Sequence, residues 1–330
     1  MNSDFFTPWA LLAASSTGST WVNHVLSSHP CVASVGEILL SNRSAASHFH
    51  ASPPSTEKIA GVLAHVTASN LATLRSRTTS GSCSRLAGGV KLKLAERDVT
   101  FGENGNARAV AAALQREGFR VILLRRSNHL DSVIGRLSRQ RTGQLHCRRD
   151  RGGHHGSGDG SHTGCNPAAL NLSLHMHCSR TRSAVDRLRL RHRASESVTR
   201  STGISVLRLE YEELVAGPRV SNPLWEAAMR HLDLEPSDAC LLRDDSYQKR
   251  VVQTQREIVT NFDMLAACFE HAGPAYARLL RPDVRPASGQ LPWQDAEGTG
   301  VSSGAGCSTT VNPPPRRAEM IMLNGNANGR

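Results

Sequence analysis

The sequence predicts an α/β fold of three layers, in which a mostly parallel central sheet carries helices on both faces and a P-loop-like phosphate-binding loop. Short, continuous apolar runs such as Trp9–Ala14 and Phe119–Leu124 are typical of strands that are buried on both faces. Segments with apolar residues at helical spacing follow these runs, so strands and helices alternate along the chain. Ligands of such sheets bind beyond the carboxyl ends of the strands.

The first strand–helix unit has the clearest pattern. The strand Trp9–Ala14 leads into a turn of small residues, Ser15–Thr20, and a helix then runs from Trp21 to a point before Pro30. A second short strand is predicted over Cys31–Val35.

The later segments alternate in the same way. They are predicted as a helix from Ser55 to about Leu74, a strand over Gly89–Leu94, a helix over Ala107–Glu117, a strand over Phe119–Leu124, a helix with Leu130, Val133, Ile134 and Leu137 on one face, a helix from Ala168 to about Arg200, a strand over Ile204–Leu209 and a helix that starts at Asn222 and Pro223. We expect residues 1–282 to form a single domain. Within it, 141–166 is a Gly/His/Arg-rich insertion or loop, and 283–330 is a disordered tail rich in Gly, Ser, Pro and Asn.

The charge of the protein is concentrated in one stretch. The 330 residues include 39 basic and 28 acidic ones, for a net charge of +11. Residues 136–200 contain 13 arginines, no lysine and four acidic residues, so +9 of that charge lies there. Such a stretch either attracts polyanions or is an insertion of biased composition. It has no aromatic residue for base stacking, so specific nucleic-acid binding is not expected.

Composition also argues against a membrane span, a metal centre and export. No apolar run approaches the roughly 20 residues of a transmembrane helix, and the cysteines and histidines lack the paired spacing of metal ligands. The chain begins without the basic region of a signal peptide. Its eight cysteines, none in a CxxC pair, are therefore predicted to be reduced thiols of a cytoplasmic protein. The oligomeric state is left open.

The turn after the first strand has the layout of a phosphate-binding loop. Backbone N–H groups at a helix N-terminus point outwards at the positive end of the helix dipole, and Gly18 lets an anion approach them. The hydroxyls of Ser19 and Thr20 add donors. The turn has neither the lysine nor the glycine spacing of a Walker A loop, so ATPase or GTPase activity is not expected. The alternative is that these small residues only cap the helix.

Six motifs in order resemble sulfotransferases that use 3′-phosphoadenosine 5′-phosphosulfate (PAPS). The segment Thr17–Trp21, followed by His29-Pro30 and Gly36-Glu37, is similar to their N-terminal signature. Arg139–Gly143 is similar to a segment of the carbohydrate branch of the family. The other matches, which with these span about residues 9–281, are Gly89–Leu94, Val121–Asn128, Val206–Leu214, and Asn261–Asp263 with Gly273–Tyr276.

This resemblance implies in-line, metal-independent transfer of a sulfuryl group from PAPS to a hydroxyl of a carbohydrate or small metabolite. Arg125 or Arg126 would hold the 3′-phosphate, and the spacing leaves the choice between them open. The implied donor-binding residues are Ser16, Thr17, Gly18, Ser19, Thr20, Trp21, Arg125 and Arg126.

Three residues are candidates for the chemical step. Glu37 is the first candidate for the base that accepts the proton of the acceptor hydroxyl, a role that requires a pKa raised by partial burial. Lys91 is a candidate for neutralising the leaving group, and His24, which can titrate near neutrality, is a further one. The alternatives are that Glu37 is a surface residue, that Lys91 lies on a solvated strand face, and that His24 has a structural role.

Two positions depart from the family's pattern. Ser16 stands where most members carry Lys or Arg against the 5′-phosphosulfate, and Gly135 stands where a serine is expected after the 3′-phosphate arginine. A charge-assisted contact contributes more to binding than a neutral one. The alternative function is therefore a non-catalytic protein on the same fold that binds a polyanion or a nucleotide.

Overall fold

Five parallel strands form the main sheet, and a second sheet has two short antiparallel strands. The structure, a computed structural model, describes residues 5–14, 16–37, 55–77, 83–94, 106–142, 147–148, 172–215, 222–236, 242, 247–248 and 253–281. The strands are β1 (Phe6–Ala14), β2 (Val32–Glu37), β3 (Leu86–Leu94), β4 (Arg120–Arg125), β5 (Cys147–Arg148), β6 (Val206–Glu210) and β7 (Tyr247–Gln248).

The strand order of the main sheet places a crevice next to β1. The order is β2-β3-β1-β4-β6, so the chain builds one side of the sheet first and then crosses to the other. Between β1 and β4, the direction in which the chain adds strands to the sheet reverses. Ligands of doubly wound sheets bind at such a switch point. The turn after β1 lies on one side of this switch point, and Arg125 and Arg126 lie on the other side, at the end of β4.

The helices confirm most of the predicted elements, with ends displaced by a few residues. Asn222 caps the helix that begins at Pro223, because its side-chain oxygen accepts the N–H of Leu224 at 3.0 Å. The helices are α1 (Ser19–Ser27), α2 (Thr56–Arg77), α3 (Asn106–Arg116), α4 (His129–Thr142), α5 (Cys178–Ser201), α6 (Tyr211–Leu214), α7 (Pro223–His231), α8 (Gln255–Ile258), α9 (Phe262–His271) and α10 (Pro274–Ala277).

The core lies on both faces of the sheet, as the three-layer prediction requires. Successive side chains of a strand point to opposite faces. Ala10, Leu12 and Ala14 of β1 pack into one cluster with α2, α3, α4, α5 and α9, whereas Trp9 and Leu11 pack into another with α1 and α7. The α/β fold class is therefore confirmed.

The predicted helix from Ala168 is wrong over 172–177, because α5 begins at Cys178, and the first residues of the predicted helix lie outside the described ones. Residues 172–177 are extended instead. Leu174 forms a bridge to Val259, with its N–H donating to the carbonyl of Ile258 at 2.7 Å. The side chain of Asn261 bonds both the N–H and the carbonyl of Met176, so these backbone groups are satisfied without a helix.

The prediction of reduced thiols is wrong for four cysteines. Cys31 is bonded to Cys83, and Cys178 is bonded to Cys268, with Cα–Cα distances of 5.8 and 6.2 Å. The partners are 52 and 90 residues apart, so no local spacing in the sequence indicates them. The cysteines therefore do not support the predicted cytoplasmic compartment, which stays a prediction.

Several predictions fall largely outside the described residues. They are the tail at 283–330 and most of the insertion at 141–166, where only the end of α4 and the strand β5 are described. The division into one domain and a tail stays a prediction. Among the helices of the described ranges, none is long and apolar enough to cross a membrane.

Candidate active site

The loop after β1 is curled by two residues in the left-handed conformation, Ser16 with φ 63° and Gly18 with φ 85°. Between them, Thr17 is buried, and its hydroxyl donates to the carbonyl of Ala14 at 2.8 Å. Gly18 is the N-cap of α1, and among the described residues no side-chain hydrogen bond caps this helix. One of the small residues of the turn therefore occupies the cap position, as the capping alternative predicts, and Thr17 closes the end of β1.

Aromatic packing fixes the shape of this loop. A Cβ atom on Gly18 would overlap the ring of Tyr211, so the ring lies directly against the backbone of the loop. Trp21 packs edge-on against both Tyr211 and Trp225, with ring centroids 5.9 and 5.7 Å apart. In this structure Trp21 is a packing residue at the base of the loop.

Glu37 and Lys91 meet beside the loop. β2 and β3 pair in a register that places Glu37 opposite Lys91, after an irregularity that follows Ser34. The Nζ atom of Lys91 lies 2.9 Å from Glu37 Oε2 and 3.1 Å from Thr20 Oγ1. Lys91 is only 7% exposed, so the alternative of a solvated strand face is wrong for it. One cation thus joins the sheet, the first turn of α1 and the predicted base.

The two N-terminal histidines differ in their surroundings. His24 lies one turn beyond Thr20 on α1, and residues four apart share a helix face. His29 is buried, and its Nδ1 accepts the N–H of Cys31 at 3.1 Å. Burial lowers the pKa of His29 to about 4, so this ring is neutral at physiological pH and acts as a structural group.

Arg126 contacts the loop, and Arg125 turns away from it. Arg126 Nη1 donates to the carbonyl of Ser16 at 3.1 Å, and its guanidinium lies over the ring of Tyr211, 5.0 Å from the centroid. Arg125 pairs with Glu196 of α5 and lies 3.3 Å from Glu210. The geometry thus brings Arg126, rather than its neighbour, to the phosphate-binding loop.

Two carboxylates hold Arg126 in place, and the sequence indicates neither of them as its partner. Asp131 lies 3.2 Å and Glu212 3.6 Å from its guanidinium. Although burial alone raises the pKa of Glu212, the N–H groups of Ser127 and Asn128 bond its carboxylate and, with Arg126, bring that pKa below the ordinary value. A pair of carboxylates therefore fixes one guanidinium at the end of β4.

The C-terminal helices complete this network. The side chain of Gln255 donates to Asp131 at 2.8 Å and to the carbonyl of Leu279 at 3.0 Å, and Asn128 donates to the same carbonyl at 3.1 Å. The only sign of this network in the sequence is the resemblance of the C-terminal segment to the sulfotransferase family. That resemblance does not indicate that the segment contacts Arg126 through Asp131.

Two buried histidines lie behind Arg125. The rings of His129 and His192 are 5.2 Å apart, and neither ring nitrogen of His192 has a hydrogen-bond partner among the described residues. Burial, followed by the charges of His129 and Arg125, lowers the pKa of His192 to about 3. Burial also raises the pKa of Glu210, against the opposing effect of Arg125. This side of β4 is therefore a structural ion-pair network.

Ser16 and Gly135 face each other. A Cβ atom on Gly135 would lie 3.5 Å from the Cβ of Ser16, which is ordinary van der Waals distance. The two positions where the chain departs from the sulfotransferase pattern are thus neighbours across the loop and α4. Among the described residues there is also no group of three or more potential metal ligands.

Comparisons with known proteins give only distant likenesses, all of them to solved structures. No family model matches the chain, and no curated protein matches it. Among solved structures, the chain is similar to a sulfotransferase from Alicyclobacillus acidocaldarius, with 12% sequence identity and a TM-score of 0.34 over 84% of this chain and 97% of that chain. A likeness at that score carries no information on activity.

Substitution of Gly18 tests the aromatic contact. We expect Gly18→Ala to lower the free energy of unfolding by at least about 1–2 kcal/mol, because the left-handed backbone alone costs that much and the methyl group displaces Tyr211. Gly118→Ala, at another left-handed position (φ 68°) with open space around the added methyl group, is the matched control and should lose only the about 1–2 kcal/mol of the backbone. Urea unfolding measures both, and equal effects of the two changes would contradict the contact.

The depressed pKa of His192 predicts a pH dependence. Because the folded protein keeps this ring neutral down to about pH 3, only the unfolded chain takes up the proton below pH 6.5, and stability falls as the pH is lowered. Between pH 7 and pH 5, the free energy of unfolding of His192→Phe should therefore fall by about 2 kcal/mol less than that of the wild type. His65→Phe, at an exposed position of α2, should follow the wild type. Identical losses in all three proteins would exclude a neutral buried His192.

Proposed function

We propose that the protein transfers a sulfuryl group from PAPS to a hydroxyl of a carbohydrate or small metabolite. The observation that carries this proposal is the contact of Lys91 with both Glu37 and Thr20. This contact lies beside the left-handed turn that begins α1. A candidate base, a cation and an anion-binding helix terminus are then adjacent. In-line transfer between oxygens requires these three groups in one place.

The donor's charged groups fit the positive side of the crevice. The first N–H groups of α1, which no side chain of the described residues caps, would hold the 5′-phosphosulfate, together with the hydroxyls of Ser19 and Thr20. Arg126 would hold the 3′-phosphate, since guanidinium forms two parallel hydrogen bonds to such a group. Its contacts with Asp131 and Glu212 orient it towards the loop.

Glu37 would accept the proton of the acceptor hydroxyl. PAPS supplies a sulfuryl group on a phosphate that leaves readily, so the acceptor oxygen forms the new S–O bond as the bond to the phosphate breaks. The Glu37 carboxylate, which lies 2.9 Å from the Lys91 ammonium, is the acceptor for this proton. The same ammonium, buried beside the loop, balances negative charge on the leaving phosphate.

A second candidate function is binding without catalysis. It is favoured by Ser16 and Gly135, since the loop cation and the helix serine of the family pattern are both missing and the two positions adjoin each other. A nucleotide held without these contacts binds more weakly than one held with them. The two functions differ in turnover and share the donor site.

Donor binding is tested with 3′,5′-adenosine bisphosphate. We expect Arg126→Ala to weaken binding at least about tenfold, because one charge-assisted contact is lost. Arg125→Ala removes the same charge one residue away and should change the dissociation constant by less than about threefold, since that side chain pairs with Glu196 and Glu210. Calorimetric titration of folded variants measures both, and equal losses would exclude Arg126 as the phosphate ligand.

Catalysis is tested by release of the bisphosphate from PAPS in the presence of a panel of oligosaccharides and p-nitrophenyl glycosides. We expect Glu37→Gln to lower the transfer rate by about 10²–10⁴-fold, because the amide cannot accept the proton. Its affinity for the bisphosphate should stay within about threefold of the wild type. A wild-type protein that binds the bisphosphate but transfers nothing to any acceptor of the panel would favour binding without catalysis.

A further inference from the structure

A second basic cleft lies between α4 and α5, with a volume of about 310 Å³. Its walls carry Arg136, Arg180, Arg187 and Arg191, with His175 and His177 at the start of α5. None of the described residues that line it is acidic. The charges of Arg180 and Arg187 make this concave space positive, because low-dielectric walls focus their field.

This cleft is separate from the phosphate-binding loop. Ser132 and Arg136 of α4 face the cleft, whereas Asp131 bonds Arg126 and Gly135 faces Ser16. Residues of a helix advance by about 100° each, so these two pairs lie on different sides of α4. A ligand in the cleft therefore lies about 100° around the helix from the candidate active site.

The arginines of α5 divide into groups with different tasks. Arg182 and Arg189 stack on the ring of Tyr276, at 5.1 and 4.7 Å from its centroid, and so pack α5 against the C-terminal helices. Arg200 pairs with Glu196. Those of the cleft, Arg180, Arg187 and Arg191, follow one stripe of the helix over about 16 Å.

The floor of the cleft is apolar. Val133 and Leu137 contribute to it from α4, and Ala184 and Leu188 contribute from α5. Small-molecule sites combine such an apolar surface with a few charged groups that fix the ligand's orientation. A purely inorganic anion would leave the apolar surface uncovered.

We propose that this cleft binds a small organic molecule that carries two or more sulfate, sulfonate or phosphate groups on an apolar body. Arginine suits such groups because its planar guanidinium bonds two oxygens at once. The volume suits a molecule of one or two rings. This inference concerns a different surface from the proposed transfer of a sulfuryl group and does not depend on it.

The test uses naphthalene-1,5-disulfonate as the probe, titrated calorimetrically into the full chain. We expect one site per chain, and the Arg180→Ala/Arg187→Ala double variant should bind at least about tenfold more weakly. Ala184→Leu fills the cleft without altering charge and should also weaken binding. Arg193→Ala, which removes a charge from an exposed position of the same helix, is the matched control and should bind like the wild type.

Further probes identify the part of the ligand that is recognised. Tripolyphosphate, which has no apolar body, should bind more weakly than the disulfonate, and a naphthalene bisphosphate separates phosphate from sulfonate preference. Saturating 3′,5′-adenosine bisphosphate should leave the affinity for the disulfonate unchanged. The proposal is overturned by absence of saturable binding, by equal losses in Arg193→Ala and the double variant, by unchanged affinity in Ala184→Leu, or by displacement by the bisphosphate.

Discussion

Burial of β1 on both faces is the constraint on which the candidate site depends. Every side chain from Trp9 to Ala14 is at most 1% exposed, and β3 and β4 bond both edges of the strand. A slip by one residue would exchange Trp9 and Leu11 with Ala10 and Leu12 between two closely packed faces, and the different side-chain volumes would not fit. The chain therefore leaves the sheet at a fixed point, where Thr17 bonds the carbonyl of Ala14 and the left-handed turn begins α1.

The features that could be predicted from the sequence are those with a local signal. The buried run at β1, the small-residue turn after it and the apolar face of α4 are visible in a few consecutive residues each. The meeting of Glu37 with Lys91 is different in kind, because it depends on the pairing register of β2 with β3 and on an irregularity after Ser34. No residue pattern within either strand specifies that register.

The remaining differences come from contacts distant in sequence. The helix predicted from Ala168 gives way at Leu174, because the backbone there bonds to Ile258 and Thr260. The choice between the arginines after β4 is decided by Glu196 on one side and by the loop on the other. Adjacent residues point in opposite directions at the end of a strand. The sequence alone therefore identifies the two arginines but not which of them faces the loop.

The carbonyl of Leu279 accepts hydrogen bonds from both Asn128 and Gln255, and Gln255 in turn bonds the carboxylate beside Arg126. The guanidinium that contacts the loop is thus secured by a residue about 150 positions later in the chain. During synthesis, the loop and β4 leave the ribosome long before this support exists. A nascent chain therefore lacks the hydrogen bond from Gln255 to Asp131 until its last described helices have emerged.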